Sequence, residues 1–158
     1  MAAAIVKVDT RKVRELFARL ERVVRDPRRA LVKVGTELVR TVRAAFGRQA
    51  SPEGVRWRSL SQPYGRLKLK LVGPKKKLQF RGALLRGISG GALPGNKGAF
   101  VTTLPLPYAR IHQRGGLAGR GRRTRIPARP YLPSAPLAEK IAVEVLDDEL
   151  ADAIKKAG

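Results

Sequence analysis

Few residues in this sequence have the chemistry to act as acid, base or metal ligand. There is no Cys and one His, His112, which excludes disulfides, zinc fingers, iron–sulfur clusters, thiol catalysis and any site with two imidazoles. Acid–base catalysis uses paired carboxylates or a histidine oriented by one. The 85 residues between Glu53 and Glu139 contain no Asp or Glu. We therefore expect no enzyme, no cofactor and no metal.

Motifs that build phosphate sites are also missing. The sequence contains no G-x-x-x-x-G-K-[ST] loop, and the glycine-rich segment 115–121 lacks the flanking strand and helix of a dinucleotide site. His112 lies in Tyr108-Ala-Arg-Ile-His-Gln113, which predicts a short helix or turn. A lone histidine in such a segment is more often a packing or hydrogen-bonding residue than a catalyst.

Positive charge is the main chemical feature of the chain. Lys and Arg number 34 against 12 Asp and Glu, a formal charge of +22, and 18 of the basic residues fall in the acid-free stretch 54–138. Two clusters have the composition of arms that neutralise phosphates or acidic protein surfaces. They are Lys75, Lys76 and Lys77, and Arg120, Arg122, Arg123 and Arg125. No helix-turn-helix, stacking aromatic pair or zinc motif accompanies them, so a nucleic-acid partner and an acidic protein partner remain alternatives.

Length and hydrophobicity predict one domain over 1–158 with a mainly aliphatic core. The chain is 43% hydrophobic and 5% aromatic. It contains no apolar run near the ~20 residues that span a membrane, and its opening apolar stretch is too short for a signal peptide. We expect a soluble protein that is not secreted.

Apolar spacing predicts two helices in an N-terminal part, 1–48, and one helix in a C-terminal part, 134–158. The first begins at Asp9 and runs to about residue 24. The second begins at Asp26-Pro27 and ends at Gly47. The last is opened by Ser134 and Pro136.

The basic part, 49–133, is predicted to hold strands and loops. Leu67, Leu69 and Leu71 alternate with basic residues, the period of a half-buried strand, and residues 99–103 form a second strand. Residues 78–88 are a short helix or turn. Loops over 51–65 and 113–136 are expected to become ordered against a partner. The fold class is therefore α+β: two N-terminal helices and a C-terminal helix packed on a small antiparallel sheet, with long basic loops.

Five short motifs follow one another along the basic part. They are Phe46-Gly-Arg-Gln-Ala-Ser-Pro-Glu-Gly54, Trp57-Arg-Ser-Leu60, Leu84-Leu-Arg-Gly-Ile-Ser89, Tyr108-Ala-Arg-Ile-His-Gln-Arg-Gly115 and Ile126-Pro-Ala-Arg-Pro-Tyr-Leu132. This succession resembles the phage virion morphogenesis (tail completion) family of Mu-like and P2-like tailed bacteriophages. That family reads Q-S-P-D-G-x-x-W-x-P-L, G-x-L-x-x-S, Y-A-x-x-H-Q-x-G and I-P-A-R-P-F-L. The departures are mild: Glu53 for Asp, Ser59 for Pro and Tyr131 for Phe.

The resemblance implies a structural protein of the virion neck, made in the host cytoplasm, that completes the tail and enables head–tail joining. It implies a homo-oligomeric ring of sixfold symmetry. The tail tube, terminator or head connector are the implied neighbours, with DNA in the channel as a further partner and no membrane. A basic nucleic-acid-binding protein acting on its own is the alternative.

The candidate interface residues come from these motifs: Trp57, Tyr108, His112, Gly115, Pro127, Arg129, Pro130 and Tyr131. Prolines on both sides of Arg129 favour an extended, preorganised segment, and Arg and Tyr are common interface anchors. The segment either docks on a neighbour or packs back on its own domain. Trp57 is expected to fill the core, and Tyr108 and His112 to share a helical face. The basic loop 120–125 either docks on acidic neighbours or lines a channel for DNA.

Overall fold

The structure, a computed structural model, describes residues 18, 21, 26–73 and 76–155. The predicted first helix, 9–24, lies outside the described residues apart from Ala18 and Glu21, which are helical. Helix α1 spans Arg28–Arg48 and confirms the second predicted helix. It continues through Gly47 and ends instead at Gln49, which adopts the left-handed conformation and donates its side-chain amide to the Phe46 carbonyl at 2.7 Å.

Helix α1 lies on a β-hairpin. Strand β1 (Ile88–Ala92) pairs antiparallel with β2 (Ala99–Thr103), with Ile88 opposite Thr103. A 3₁₀ turn at Pro94–Asn96 joins the strands. The second predicted strand, 99–103, is thereby confirmed. Helix and hairpin meet without a side chain between them: a Cβ on Gly35 would lie 2.3 Å from the Gly91 backbone nitrogen.

Helix α5 at the C-terminal end packs along α1. It spans Ala135–Lys155, as predicted, and buries Ile141 against Val34 and Leu38. An ion pair between Lys33 and Glu149 joins the two helices further along. At its start, the Ser134 backbone N–H donates to the Glu53 carboxylate at 2.8 Å, which ties the helix to the Ser-Pro-Glu-Gly turn.

The strand predicted from Leu67, Leu69 and Leu71 is wrong, because these residues belong to helix α2 (Gln62–Val72). Pro63 sits in its first turn, where a missing N–H costs nothing. All three leucines are more than half exposed, and the buried side of the helix is formed by Gly65 and Lys68. The alternation of Leu with Lys or Arg therefore did not report the buried face. The helix also shortens the loop predicted over 51–65.

The loop predicted over 113–136 is wrong for its middle portion. Strand β3 (Gly116–Ala118) pairs antiparallel with β4 (Thr124–Ile126) around a 3₁₀ turn at Arg120–Arg122. Two short helices complete the described fold: α3 (Ala83–Arg86) and α4 (Ala109–Arg114). The α+β class is confirmed, with two small antiparallel sheets in place of one.

The main core is formed largely by residues of the five short motifs. Its buried members are Val42, Phe46, Trp57, Leu84, Ile88, Ala109 and Tyr131. The Phe46 ring centroid lies 5.3 Å from that of Trp57, edge to face, and 5.9 Å from that of Tyr131. Among the described residues, no helix is long and apolar enough to cross a bilayer.

Candidate functional site

The segment Ile126–Leu132 packs against the core of its own domain. Trp57 is 4% exposed, as expected of a core residue, and its indole N–H donates to the Pro130 carbonyl at 2.7 Å. Tyr131 is 1% exposed, with its hydroxyl 3.4 Å from the Ala109 carbonyl. Of the two alternatives for this segment, the isolated chain adopts the one in which it packs on its own domain.

Gln113 braces this segment, and sequence reasoning missed it. Its side-chain carbonyl accepts from the backbone N–H groups of Tyr131 and Leu132 at 2.9 and 3.1 Å, and its amide lies 3.4 Å from the Leu132 carbonyl. The signal was an amide side chain beside His112 in the fourth motif. Only the fold reveals its partners, because they lie 18 and 19 residues away.

Gly115 lets helix α4 end against the same segment. It has φ +74°, a conformation that favours glycine. Its N–H donates to the Ile111 carbonyl at 2.8 Å, and a Cβ there would stand 2.9 Å from the Ala128 backbone nitrogen. A larger residue at 115 would push the Ile126–Leu132 segment away from α4.

Arg129 is buried without a carboxylate partner among the described residues. It is 5% exposed, and its guanidinium donates to the carbonyls of Arg58 and Ser59 at 3.0 and 3.2 Å. Its backbone N–H donates to the His112 carbonyl at 2.7 Å. Burial lowers the pKa of Arg129, and the nearby positive charge of Arg58 adds to this, against an opposing influence of Tyr64.

Two further groups share this positive environment. Lys68 is 2% exposed, and its ammonium donates to the Lys76 carbonyl. Burial lowers the pKa of Lys68 and of His112, and the charge of Arg129 lowers both further. The His112 Nδ1 atom is buried and has no hydrogen-bond partner among the described residues. Lys68 was missed by sequence reasoning, since a lysine between leucines is ordinarily solvent-facing.

Lys68, His112 and Arg129 line one open groove of about 1710 Å³, which we call the cationic groove. The basic side chains along it are Arg58, Lys68, Arg81, Arg114, Arg125 and Arg129, and no described Asp or Glu lines it. Tyr64, Phe80 and Tyr108 add aromatic surface, each about two-fifths exposed. The rings of Tyr108 and His112 are 5.9 Å apart, which confirms that they share a face of α4.

The sequence candidates divide between this groove, the core beside it and the exposed surface. The groove is lined by Tyr108, His112, Gly115, Arg125, Pro127 and Arg129, and the core beside it contains Trp57 and Tyr131. Pro130 is exposed. Arg120, Arg122 and Arg123 are exposed at the β3–β4 turn. Lys76 is exposed, the Lys77 backbone N–H bonds to the Gln49 side chain, and Lys75 lies outside the described residues.

The groove has the chemical character that suits an anionic ligand. Cationic and N–H donors surround it, and none of the described residues that line it supplies a carboxylate to act as a base or to orient His112. Within the part of the chain that the structure describes, no three His, Cys, Asp or Glu side chains come together as a metal site would require. A ligand with a carboxylate or phosphate group is the kind that would complete this arrangement.

Comparisons with known proteins agree with the motifs that build the groove. The chain is 55% identical over 42 residues to a Haemophilus influenzae protein described as Mu-like prophage FluMu G protein 2. That stretch is 27% of this chain and 30% of the relative, so the chain matches less than a third of the relative's length. No solved structure gives a significant match. The profile of the phage virion morphogenesis family matches residues 8–151, which takes in helix α1, most of helix α5 and every element of the groove, and the chain therefore belongs to that family and has a role in the structure and assembly of a phage virion.

Proposed function

We propose that this protein is a neck component that completes the phage tail and enables head–tail joining by assembling into a ring of subunits. The observation that carries the proposal is the cationic groove, which is built in part from the family-like motifs and is lined by six basic residues and no described acid. Buried charges are stabilised when they are paired. A groove of this kind is therefore more stable with an acidic partner seated in it than in the free subunit.

Rigidity supports docking as the mechanism. Prolines at 127 and 130 restrict the backbone on both sides of Arg129, and the Arg129 guanidinium is already fixed by two carbonyls. Little side-chain freedom is left to lose when a partner binds. The tail tube, the terminator or the head connector are the proposed neighbours in addition to other copies of this chain, with DNA passing through the ring.

A basic nucleic-acid-binding protein acting on its own is the second candidate. It is favoured by Arg120, Arg122 and Arg123, which are exposed at the β3–β4 turn, the arrangement in which side chains reach phosphates most easily. On this alternative the arginine turn carries the function, and oligomerisation is not needed.

Sedimentation and nucleic-acid titration of the purified chain separate the two candidates. The neck proposal predicts ring oligomers in electron micrographs and weak, salt-labile DNA binding. Monomers that bind DNA tightly at physiological salt, with a steep decrease of log K with log salt, would favour the second candidate.

A phage lacking this protein supplies the functional test. We expect its lysates to contain filled heads and separate tails, and plasmid-borne wild-type protein to restore joined particles. Normal joining without the protein would contradict the neck proposal.

A further inference from the structure

The floor of the cationic groove holds positive groups that nothing in the described chain neutralises. Lys68 and Arg129 are 2% and 5% exposed, and both donate to backbone carbonyls instead of carboxylates. His112 adds a buried nitrogen without a hydrogen-bond partner among the described residues. Two buried cationic groups beside an unpartnered ring nitrogen form a site that suits a carboxylate projecting into the groove.

The same chain carries a concentrated supply of carboxylates on helix α5. Half of its acidic residues fall after residue 138: Glu139, Glu144, Asp147, Asp148, Glu149 and Asp152. None of the α5 residues lines the groove of its own subunit. Apart from Glu149, which pairs with Lys33, these side chains belong to exposed residues.

The outer side of α5 is also apolar in a regular way. Val143, Leu150 and Ile154 are 57%, 36% and 50% exposed. With Asp147 they recur every three or four residues, so they share one side of the helix. An exposed stripe of this kind, bordered by acids, fits a groove whose walls combine basic side chains with exposed Tyr64, Phe80 and Tyr108.

We infer that the cationic groove of one subunit receives the acidic outer face of helix α5 from a second copy of this chain, with a carboxylate of that helix placed among Lys68, His112 and Arg129. This inference rests on the proposed ring and names the contact that would close it. The groove and the outer face of α5 are different surfaces, so the contact is heterologous. A heterologous contact repeated around an axis generates a ring.

A protein carboxylate suits the floor better than a nucleic-acid backbone does. Lys68 and Arg129 are almost completely covered, so a ligand reaches them only through a group that projects inward. Phosphate backbones are bound through exposed basic side chains, which this chain presents at Arg120, Arg122 and Arg123.

Disulfide mapping tests the contact directly, because the chain has no cysteine of its own. Leu117→Cys places a thiol on the groove wall, and Ala151→Cys places one on the outer face of α5. We expect the two single variants, mixed and oxidised, to give a cross-linked dimer. The double variant is expected to give a ladder of multimers. The matched control, Leu117→Cys mixed with Lys97→Cys at the exposed β1–β2 turn, is expected to give no cross-linked heterodimer.

Charge reversal supplies the energetic test, read as the dissociation constant of the oligomer by sedimentation. Arg114→Glu with Arg125→Glu in the groove, or Asp147→Lys with Asp148→Lys on α5, is expected to weaken assembly about tenfold or more. All four changes together are expected to recover most of the loss. Arg120→Glu, a reversal at the arginine turn, serves as the control and is expected to leave assembly unchanged.

The possible failures are distinguishable. Rings that persist in both reversed variants, without the Leu117–Ala151 cross-link, overturn this inference and leave the neck proposal standing. Loss of DNA binding in the groove variant with unchanged oligomers also overturns it and assigns the groove to nucleic acid. A wild-type chain that forms no oligomer and does not restore head–tail joining refutes the neck proposal itself.

Discussion

Arg129 stabilises the groove through backbone carbonyls, a role that a lysine cannot reproduce. Its planar guanidinium reaches the Arg58 and Ser59 carbonyls together, whereas one ammonium cannot occupy both positions. We expect Arg129→Lys to lower the free energy of unfolding by about 1–3 kcal/mol, measured by urea denaturation. Arg110→Lys, at an exposed position of the neighbouring α4, is the control, expected within about 0.5 kcal/mol of wild type. Equal losses in both variants would contradict this role.

His112 gives the fold a predictable pH dependence. Burial, and secondarily the charge of Arg129, lower its pKa from the ordinary value of 6.5. Below that value the unfolded chain therefore binds the proton more readily than the folded chain does. Stability is complete above pH 6.5 and declines as the pH falls toward the folded pKa.

The matched variant is His112→Gln, with the melting temperature recorded between about pH 7 and pH 5. We expect a smaller decrease on acidification than in wild type. Glu53 does not obscure the comparison. Burial raises its pKa, but hydrogen bonds to Ser134, its own backbone and Ser51 outweigh that effect, so its pKa stays below the ordinary 4.5. An unchanged slope in the variant would show that His112 is not the titrating group.

At the scale of residues, the sequence predicted the positions of some side chains in the fold but not their distant contacts. A tryptophan after a tight turn indicated a core position, and the four-residue spacing of Tyr108 and His112 indicated a shared face; both are confirmed. The burial of Lys68 was not predictable. It depends on the carbonyl of Lys76, a residue outside α2, which accepts a hydrogen bond from the Lys68 ammonium.

Helix α1 and the β1–β2 hairpin are held together by close backbone contact. A methyl group at Gly35 would meet the Gly91 backbone at 2.3 Å, so the elements would have to separate. We expect Gly35→Ala to lower the free energy of unfolding by about 2–3 kcal/mol, despite the better helix propensity of alanine. Urea denaturation measures the change.

The control lies in the same helix. A methyl group at Gly47 would meet no atom of another described element within 4 Å, so Gly47→Ala is expected to gain about 0.5–1 kcal/mol from helix propensity alone. Stabilisation by both substitutions would show that α1 does not rest directly on the hairpin.

Elements were predictable where one apolar face recurs with the period of the element. Helices α1 and α5 have long apolar stripes, and β2 has a clear β-propensity. Helix α2 exposes its leucines and buries a lysine, whereas leucines are usually buried and lysines exposed. Its alternation of Leu with basic residues therefore predicted a strand. The β3–β4 hairpin has strands of three residues rich in Gly and Arg, too short to show an alternating pattern.

At the scale of the whole molecule, charge is separated along the chain, with an acid-free middle and an acid-rich end. On our proposal, any nucleic acid contacts the arginine turn and the neighbouring subunit contacts the groove. Replacing Arg120, Arg122 and Arg123 by Ser is expected to reduce the slope of log K against log salt for DNA by roughly 2–3. Oligomer mass is expected to stay the same. A parallel loss of oligomers would show that the turn also belongs to the subunit interface.

The central claim is that the cationic groove acts as a docking surface in virion assembly. Its most direct test supplies a phage lacking this protein with the Arg114→Glu, Arg125→Glu variant and counts joined particles by electron microscopy. We predict that the variant accumulates as folded protein with an unchanged circular dichroism spectrum, while heads and tails stay separate. Joined particles at the wild-type frequency would contradict the account.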